Sequence, residues 1–318
     1  MNKHIFGSCG VLTRYGLPVA AGTLLLATIF TVRAQQIAYE GFDYLADTQL
    51  FGNSGGYGWA TPWSAAGTSI TTNSSSGLSF GTLPATGGGL VVGYPFGYPT
   101  SGGQTANAQR LLPDTAGNLA ASSSGRMWIS FLYQNWNTDQ AGLPGFREAK
   151  FILFSGATTN ATGNANVNGT ERLDVGSPNT YSAGASDTLT LWQGSTYSSS
   201  GIPTPRGNFP TTTVFVLMRL DVDASTAADT AYAWFSPSLI SEPDTSSAVS
   251  FNLQDLSGVN AVRFQAGNLN SNGTNAVFKV DELRIGHTFA DVITVPEPST
   301  IILMVLGGLA LLVLRPKQ

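Results

Sequence analysis

Cysteine is nearly missing from this chain: of 318 residues only Cys9 is one. It precedes the first apolar stretch and so lacks the context of a lipidation site, and the body must be held by burial alone, without disulfides. About 260 residues suffice for that as one large all-β domain. Histidine is almost as scarce, and beyond residue 34 only His287 remains. A zinc site of several histidines is therefore excluded in the body, and a Ser-His-Asp triad would have to pass through His287. Charge is sparse at 11 %, and between residues 35 and 296 ten basic residues face eighteen acidic ones, a net −8. An acidic body without a basic cluster speaks against nucleic acid and against adsorption to anionic lipid. No amphipathic helical stripe is present either.

What is abundant is Gly, Ser, Thr and Asn, with 37 glycines, a composition suited to short strands joined by turns. Alternation is clearest at Arg126 to Gln134, RMWISFLYQ, where Met127, Ile129, Phe131 and Tyr133 share one face. It recurs at Val214 to Asp223, VFVLMRLDVD, with Arg219, Asp221 and Asp223 opposite the apolar set. Further strands are predicted at 37–44, 78–80, 90–94, 108–112, 150–154, 170–175, 188–192, 230–235, 259–266 and 276–285. In the last of these the apolar parity changes from Phe278 and Val280 to Leu283 and Ile285, which predicts a bulge at Asp281-Glu282. About a dozen short strands with Gly, Pro, Asn and Ser punctuation read as an all-β sandwich.

The ends differ in kind. Lys3, His4 and Arg14 precede the apolar Leu17 to Val32, and Val32 and Ala34 stand at small-residue positions read by a signal peptidase. Residues 1–34 are therefore expected to be a signal peptide cut after Ala34. The chain closes on VPEPSTIILMVLGGLALLVLRPKQ. A helix over 299–314 rises about 24 Å against roughly 30 Å of hydrocarbon, a short span that Arg315 and Lys317 can extend by snorkelling. It predicts a single transmembrane helix with its positive tail cytoplasmic and the body, 35–291, outside.

Val295-Pro296-Glu297-Pro298, then Ser299, an apolar helix with Gly307-Gly308, and Arg315 closely resemble the PEP-CTERM sorting signal of exported Gram-negative bacterial proteins. The resemblance covers 292–318, with a basic tail sparser than usual. It implies processing by an exosortase that reads Pro296, Glu297 and Pro298, release or re-anchoring at the surface or extracellular matrix, and company with an exopolysaccharide. YEGFDY (Tyr39 to Tyr44), GGYGWATPWS (Gly55 to Ser64) and VDELRIG (Val280 to Gly286) resemble the first strand, following loop and closing strand of concanavalin A-like, laminin-G-like jelly rolls. That resemblance implies a jelly-roll β-sandwich, in a superfamily whose members bind glycans or calcium or cleave polysaccharides.

The chemistry remains open among three readings: a non-enzymatic polysaccharide-binding protein, which leads, a glycoside hydrolase on the same fold, and a purely structural matrix component. A hydrolase needs two carboxyls about 5 to 9.5 Å apart across one cleft. The Glu-x-Asp-x-x-Glu motif of the resembling glucanases is absent. Glu171 and Asp174, three apart, are expected on opposite faces, as are Asp281 and Glu282 unless the bulge turns them. Asp221 and Asp223 share a face and read as a solvated strand end. No catalytic residue is assigned. Tyr57, Trp59 and Trp63 in one Gly-rich stretch, and Tyr94 and Tyr98 in another, are candidate sugar-stacking rings, with core filling as the plain alternative. Asn164 to Thr170 and Asn268 to Thr274 both read N-x-N-x-N-G-T, a pattern better suited to Asn-Gly turns than to a calcium loop. Asp221, Asp223 and Asp229 are the weak calcium candidates; no other cofactor is expected.

Overall fold

A computed structural model describes residues 36–66, 71–93, 105–113, 125–135, 147–159, 168–177, 188–193, 196–197, 202–203, 212–223, 229–253, 256, 258–268 and 277–294. The chain divides into two compact units, Met1–Arg33 and Ala34–Gln318, and every described residue belongs to the second. Ala34, Pro296, Glu297, Pro298 and the expected span 299–314 lie outside the described residues, as do Tyr94 and Tyr98. No helix among the described residues is long and apolar enough to cross a membrane.

The described strands form two antiparallel sheets. The first joins β1 (Gln36–Glu40), β3 (Thr71–Ser74), β4 (Gly89–Gly93), β6 (Gly125–Asn135), β12 (Val214–Val222), β13 (Asp229–Phe235), β14 (Val249–Leu253) and β16 (Val277–Gly286). Its order is β14-β13-β12-β6-β16-β4-β3, with β1 also paired to β16. The second joins β2 (Ser64–Ala66), β5 (Thr105–Leu111), β7 (Arg147–Ser155), β8 (Thr170–Ser177), β9 (Thr188–Gln193), β10 (Thr196–Tyr197), β11 (Ile202–Pro203) and β15 (Val259–Asn268). Its order is β10-β9-β8-β7-β15-β5-β2, with β11 also on β9. This is the all-β sandwich that the alternation implies, in the jelly-roll class that the resemblance of its three stretches implies.

The two best alternating segments pair with each other in the register their patterns demand, Met218 opposite Ile129 and Leu220 opposite Met127. One apolar face therefore continues across both strands and packs on the inner face of the second sheet. Phe131 meets Phe151 at 5.0 Å between ring centroids and Phe264 at 5.8 Å, so aromatic contacts tie β6 to β7 and β15. The first sheet also buries its outer face: Trp128, Leu132, Phe215, Leu217 and Trp234 pack under Leu78, Leu83 and Val292. Val292 comes from α1 (Phe289–Ile293), whose Thr288 and Asp291 form a capping box. The described residues run through this helix to Thr294.

Two expected strands differ. The segment 37–44 pairs only to Glu40, because Phe42 turns to a φ of 52° and its N–H bonds the Glu40 carboxylate at 2.9 Å. Residues 78–80 are not a strand: the Leu78 N–H bonds Asp281 Oδ2 at 2.7 Å, and Leu78 and Phe80 join the apolar cover of the first sheet. The short β2, β3, β10 and β11 carry too few residues for any period to register.

Candidate functional site

The aromatic stretch around Trp59 and Trp63 surrounds a buried carboxylate. Glu40, 1 % exposed, accepts from the Tyr44 hydroxyl at 2.8 Å and the Trp63 indole at 2.9 Å, and is ion-paired with the equally buried Arg110. The guanidinium lies 5.0 Å from the Trp59 ring and 5.6 Å from the Trp63 ring. Burial pulls the Arg110 pKa down, against the pull of Glu40. Trp63 is fully buried, so its ring fills the core and presents no face to a sugar. Trp59 is partly buried, with its indole N–H on Tyr39 O at 2.9 Å. Tyr57 is exposed, its backbone paired with Tyr39 and its hydroxyl donated to Gln36 Oε1. Gly58 adopts a φ of +76° directly against Ile37 O, where any Cβ would collide, which explains the glycine within this stretch.

The predicted bulge is present on β16: pairing with β6 jumps between Asp281 and Arg284, and Glu282 adopts a φ of 55°. Both acids are buried but face structural partners. Asp281 accepts from Leu78 and from the Glu282 N–H, and burial raises its pKa to about 8. Glu282 accepts from the Tyr39 hydroxyl at 3.1 Å and the Thr86 hydroxyl at 3.0 Å, and pairs with Arg284. His287 is exposed immediately after the strand.

The calcium candidates do not converge. Asp221 pairs with Arg219 at 2.8 Å and Arg126 at 3.6 Å. Asp229 spends one oxygen on the Asp223 N–H at 2.8 Å and the other on the Leu256 N–H at 2.6 Å, which caps the β12–β13 end. Among the described residues no group of three or more His, Cys, Asp or Glu could hold a metal ion. Asp229 has both oxygens occupied by amides and little to offer a cation, whereas Asp221 Oδ1 accepts no hydrogen bond from the described residues.

The outer face of the second sheet is of another kind. Because Ala149, Phe151 and Leu153 point into the core, Lys150, Ile152 and Phe154 point out. Register then aligns rows across the strands. Gln109 stands opposite Arg263, Arg263 opposite Ile152, Ile152 opposite Asp174, and Asp174 opposite Trp192. The neighbouring row runs Asn107, Gln265, Lys150, Gly176, Thr190. Gly176, with a φ of +145° and no room for a Cβ beside Ala149 O, adds no side chain between Lys150 and Thr190, and all three are buried.

Glu171 and Asp174 meet here, against the expectation from spacing. Pairing jumps from Leu153↔Leu173 to Phe154↔Glu171, so Arg172 is an inserted residue and the two acids emerge on one face. Lys150 Nζ lies 3.3 Å from Glu171 and 3.2 Å from Asp174, and 5.7 Å from the Trp192 ring centroid. Burial, together with the adjacent Glu171 carboxyl, raises the Asp174 pKa to about 9. Burial alone would raise Glu171 too, but Asp174 and Lys150 bring it below its ordinary value. One carboxyl is thus neutral and its neighbour ionised. Lys150, Arg263, Gln109, Asn107 and Trp192 were not among the candidates from sequence. Their signal is a single charged or amide residue at an outward position of an otherwise apolar strand, as in KFILF and VRFQA.

Residues 294–318 match the family model of the PEP-CTERM protein-sorting motif. The motif marks an exported protein of Gram-negative-type bacteria that is sorted to the surface. No curated protein matches the chain. Among solved structures the chain is similar to endo-β-1,4-glucuronan lyase from the fungus Trichoderma reesei, at 13 % identity and a TM-score of 0.41 over 81 % of this chain and 98 % of that one. It is also similar to lectin II from Ulex europaeus, at 8 % identity and a TM-score of 0.39 over 79 % of this chain and 99 % of that one. A third is the GH131 β-glucanase catalytic domain from Podospora anserina, at 11 % identity and a TM-score of 0.35 over 64 % of this chain and 75 % of that one. At these scores none of them bears on activity.

Proposed function

We propose that this surface-sorted protein is a non-enzymatic polysaccharide-binding sandwich that grips sugar with the outer face of its second sheet. The observation that carries this reading is the contrast between the two outer faces. The first is closed by its own tryptophans and leucines, whereas the second carries amides, two cations, two acids and Trp192 in aligned rows. Convergent polar groups suit the hydroxyls of a sugar, while Trp192, 3 % exposed beside Lys150, packs under them and presents no ring face. The Glu171–Asp174 pair is what favours the alternative, a glycan-cleaving enzyme. Its geometry argues for binding instead: both carboxyls lie on the one Lys150 ammonium, whereas hydrolysis needs them on either side of the scissile bond.

The test is retention of the processed protein, purified from the surface fraction, on a panel of immobilised polysaccharides with and without chelator. Retention without new reducing ends, weakened several-fold by Asn107→Ala on the same face, is the expected result. Accumulating reducing ends would favour the enzyme. Neither retention nor cleavage would overturn both carbohydrate readings and leave a structural matrix component. Loss of retention with chelator would restore a metal.

A further inference from the structure

Arg263 is a buried cation without an anion. It is 9 % exposed, and its Nε and Nη2 are held by Gln109 Oε1 at 2.8 and 2.5 Å, with Nη2 also 3.3 Å from Asn168 O. The guanidinium lies 3.8 Å from the Phe154 ring centroid. All of these partners are neutral, and among the described residues no carboxylate lies within ion-pair distance. Lys150, by contrast, is matched by Glu171 and Asp174. Burial draws the Arg263 pKa down to about 10 in spite of those two acids, a sign that the local negative charge is insufficient. A buried guanidinium whose direct partners are all neutral is held at a cost that an incoming anion would offset. It stands just inside an exposed rim formed by Asn168, Gly169 and Thr170.

We infer that the ligand is a carboxylated polysaccharide, a uronic-acid polymer, and that Arg263 receives its carboxylate; the inference rests on the binding reading above. Gln109 and Phe154 fix the guanidinium plane, and a planar, preset guanidinium suits a planar carboxylate better than an ammonium would. Two strands away, about 10 Å along the same row, Asp174 offers a buried carboxyl whose oxygens accept no hydrogen bond of normal geometry from the described residues. Lys150 Nζ nevertheless lies 3.2 Å from one of them. Asn107 Oδ1, on the adjacent row, is likewise without a donor. Those oxygens are closed to solvent, so Arg263, at 9 % exposure, is the group on this row that takes the acid. The body's net charge of −8 repels polyanions, so retention of one requires a local site rather than general attraction.

The test compares binding of the processed protein to polygalacturonate, to the same polymer with its carboxyls reduced to alcohols, to a neutral β-glucan and to dextran sulfate. The expected result is at least tenfold tighter binding to polygalacturonate than to the reduced polymer. In Arg263→Gln that preference disappears while residual binding to the neutral polymers is kept. Equal affinity for polygalacturonate and its reduced form overturns the inference but leaves the binding reading standing. Preference for dextran sulfate overturns the carboxylate assignment. No binding to any of the four overturns both. Because reduction of the polymer alters the ligand alone, the comparison stands even if Arg263→Gln fails to fold.

Discussion

Gln36 and Thr294 are 258 residues apart in the chain and hydrogen-bonded in the fold, the Gln36 amide donating to Thr294 O at 2.7 Å. The same nitrogen donates to Asp291 O, and the Ser130 hydroxyl donates to Val292 O at 2.7 Å. The end of α1, whose last carbonyls have no partner within the helix, is therefore closed by side chains from β1 and β6. The first described strand and the last described residue leave the sandwich at one place, with the expected signal-peptide cut and Pro296 each two residues beyond.

Gln36→Ala should remove that closure. Leaving buried carbonyls without donors costs about 1–3 kcal/mol, and the loss should be local. Hydrogen exchange followed by mass spectrometry is expected to speed up across residues 289–294 while the central strands keep their protection. Unchanged exchange there would show that the clamp holds nothing.

Glu40→Ala should be among the most damaging single changes in the body. It strands Arg110 in the core and frees the Trp63 indole and the Phe42 amide, a loss of about 3–5 kcal/mol. Urea denaturation measures it. Pairing the change with Arg110→Met is expected to recover part of the loss, since the cost lies in the unpaired charge more than in the missing bond.

Asp174 sets a pH slope on stability. Its folded pKa of about 9 stands above the unfolded value of about 3.9, so in that window the folded chain holds a proton that the unfolded chain has released. Its contribution is complete below pH 4 and is lost as pH rises toward 9. Asp281, raised to about 8, acts in the same sense. Asp174→Asn should therefore gain in Tm relative to the parent as pH rises from 5 to 9, and thermal melts across that range should show a shallower decline. A parallel decline would mean that Asp174 is ionised in the fold.

Gly58→Ala tests the close approach of the aromatic loop to β1. A residue other than glycine at that positive φ costs about 1–3 kcal/mol, and the clash with Ile37 O adds to it. The expected outcome is a lower urea midpoint, accompanied by increased exposure of Trp59 to fluorescence quenching.

Much of the scaffold is legible in the sequence because alternation in β6 and β12 is a local consequence of one buried face, and the parity change in β16 announces its bulge. The bulge in β8 leaves no such mark: Arg172 is inserted between residues that show no break in apolar parity, so spacing separates Glu171 from Asp174 while the paired strand reunites them. Trp63 is equally ambiguous, since a Gly-rich stretch can carry a ring to the surface or turn it inward. The buried Glu40–Arg110 pair decides it, and that pair joins residues 70 apart.

By itself the sequence determined the all-β class, the acidic, disulfide-free body and the sorting motif at its end, because composition, strand period and a contiguous motif are properties of the chain read in order. The tertiary structure alone decided which outward residues stand together. Arg263, Lys150, Glu171, Asp174 and Trp192 come from four strands, and only cross-strand register, with one inserted residue, sets them on a common face.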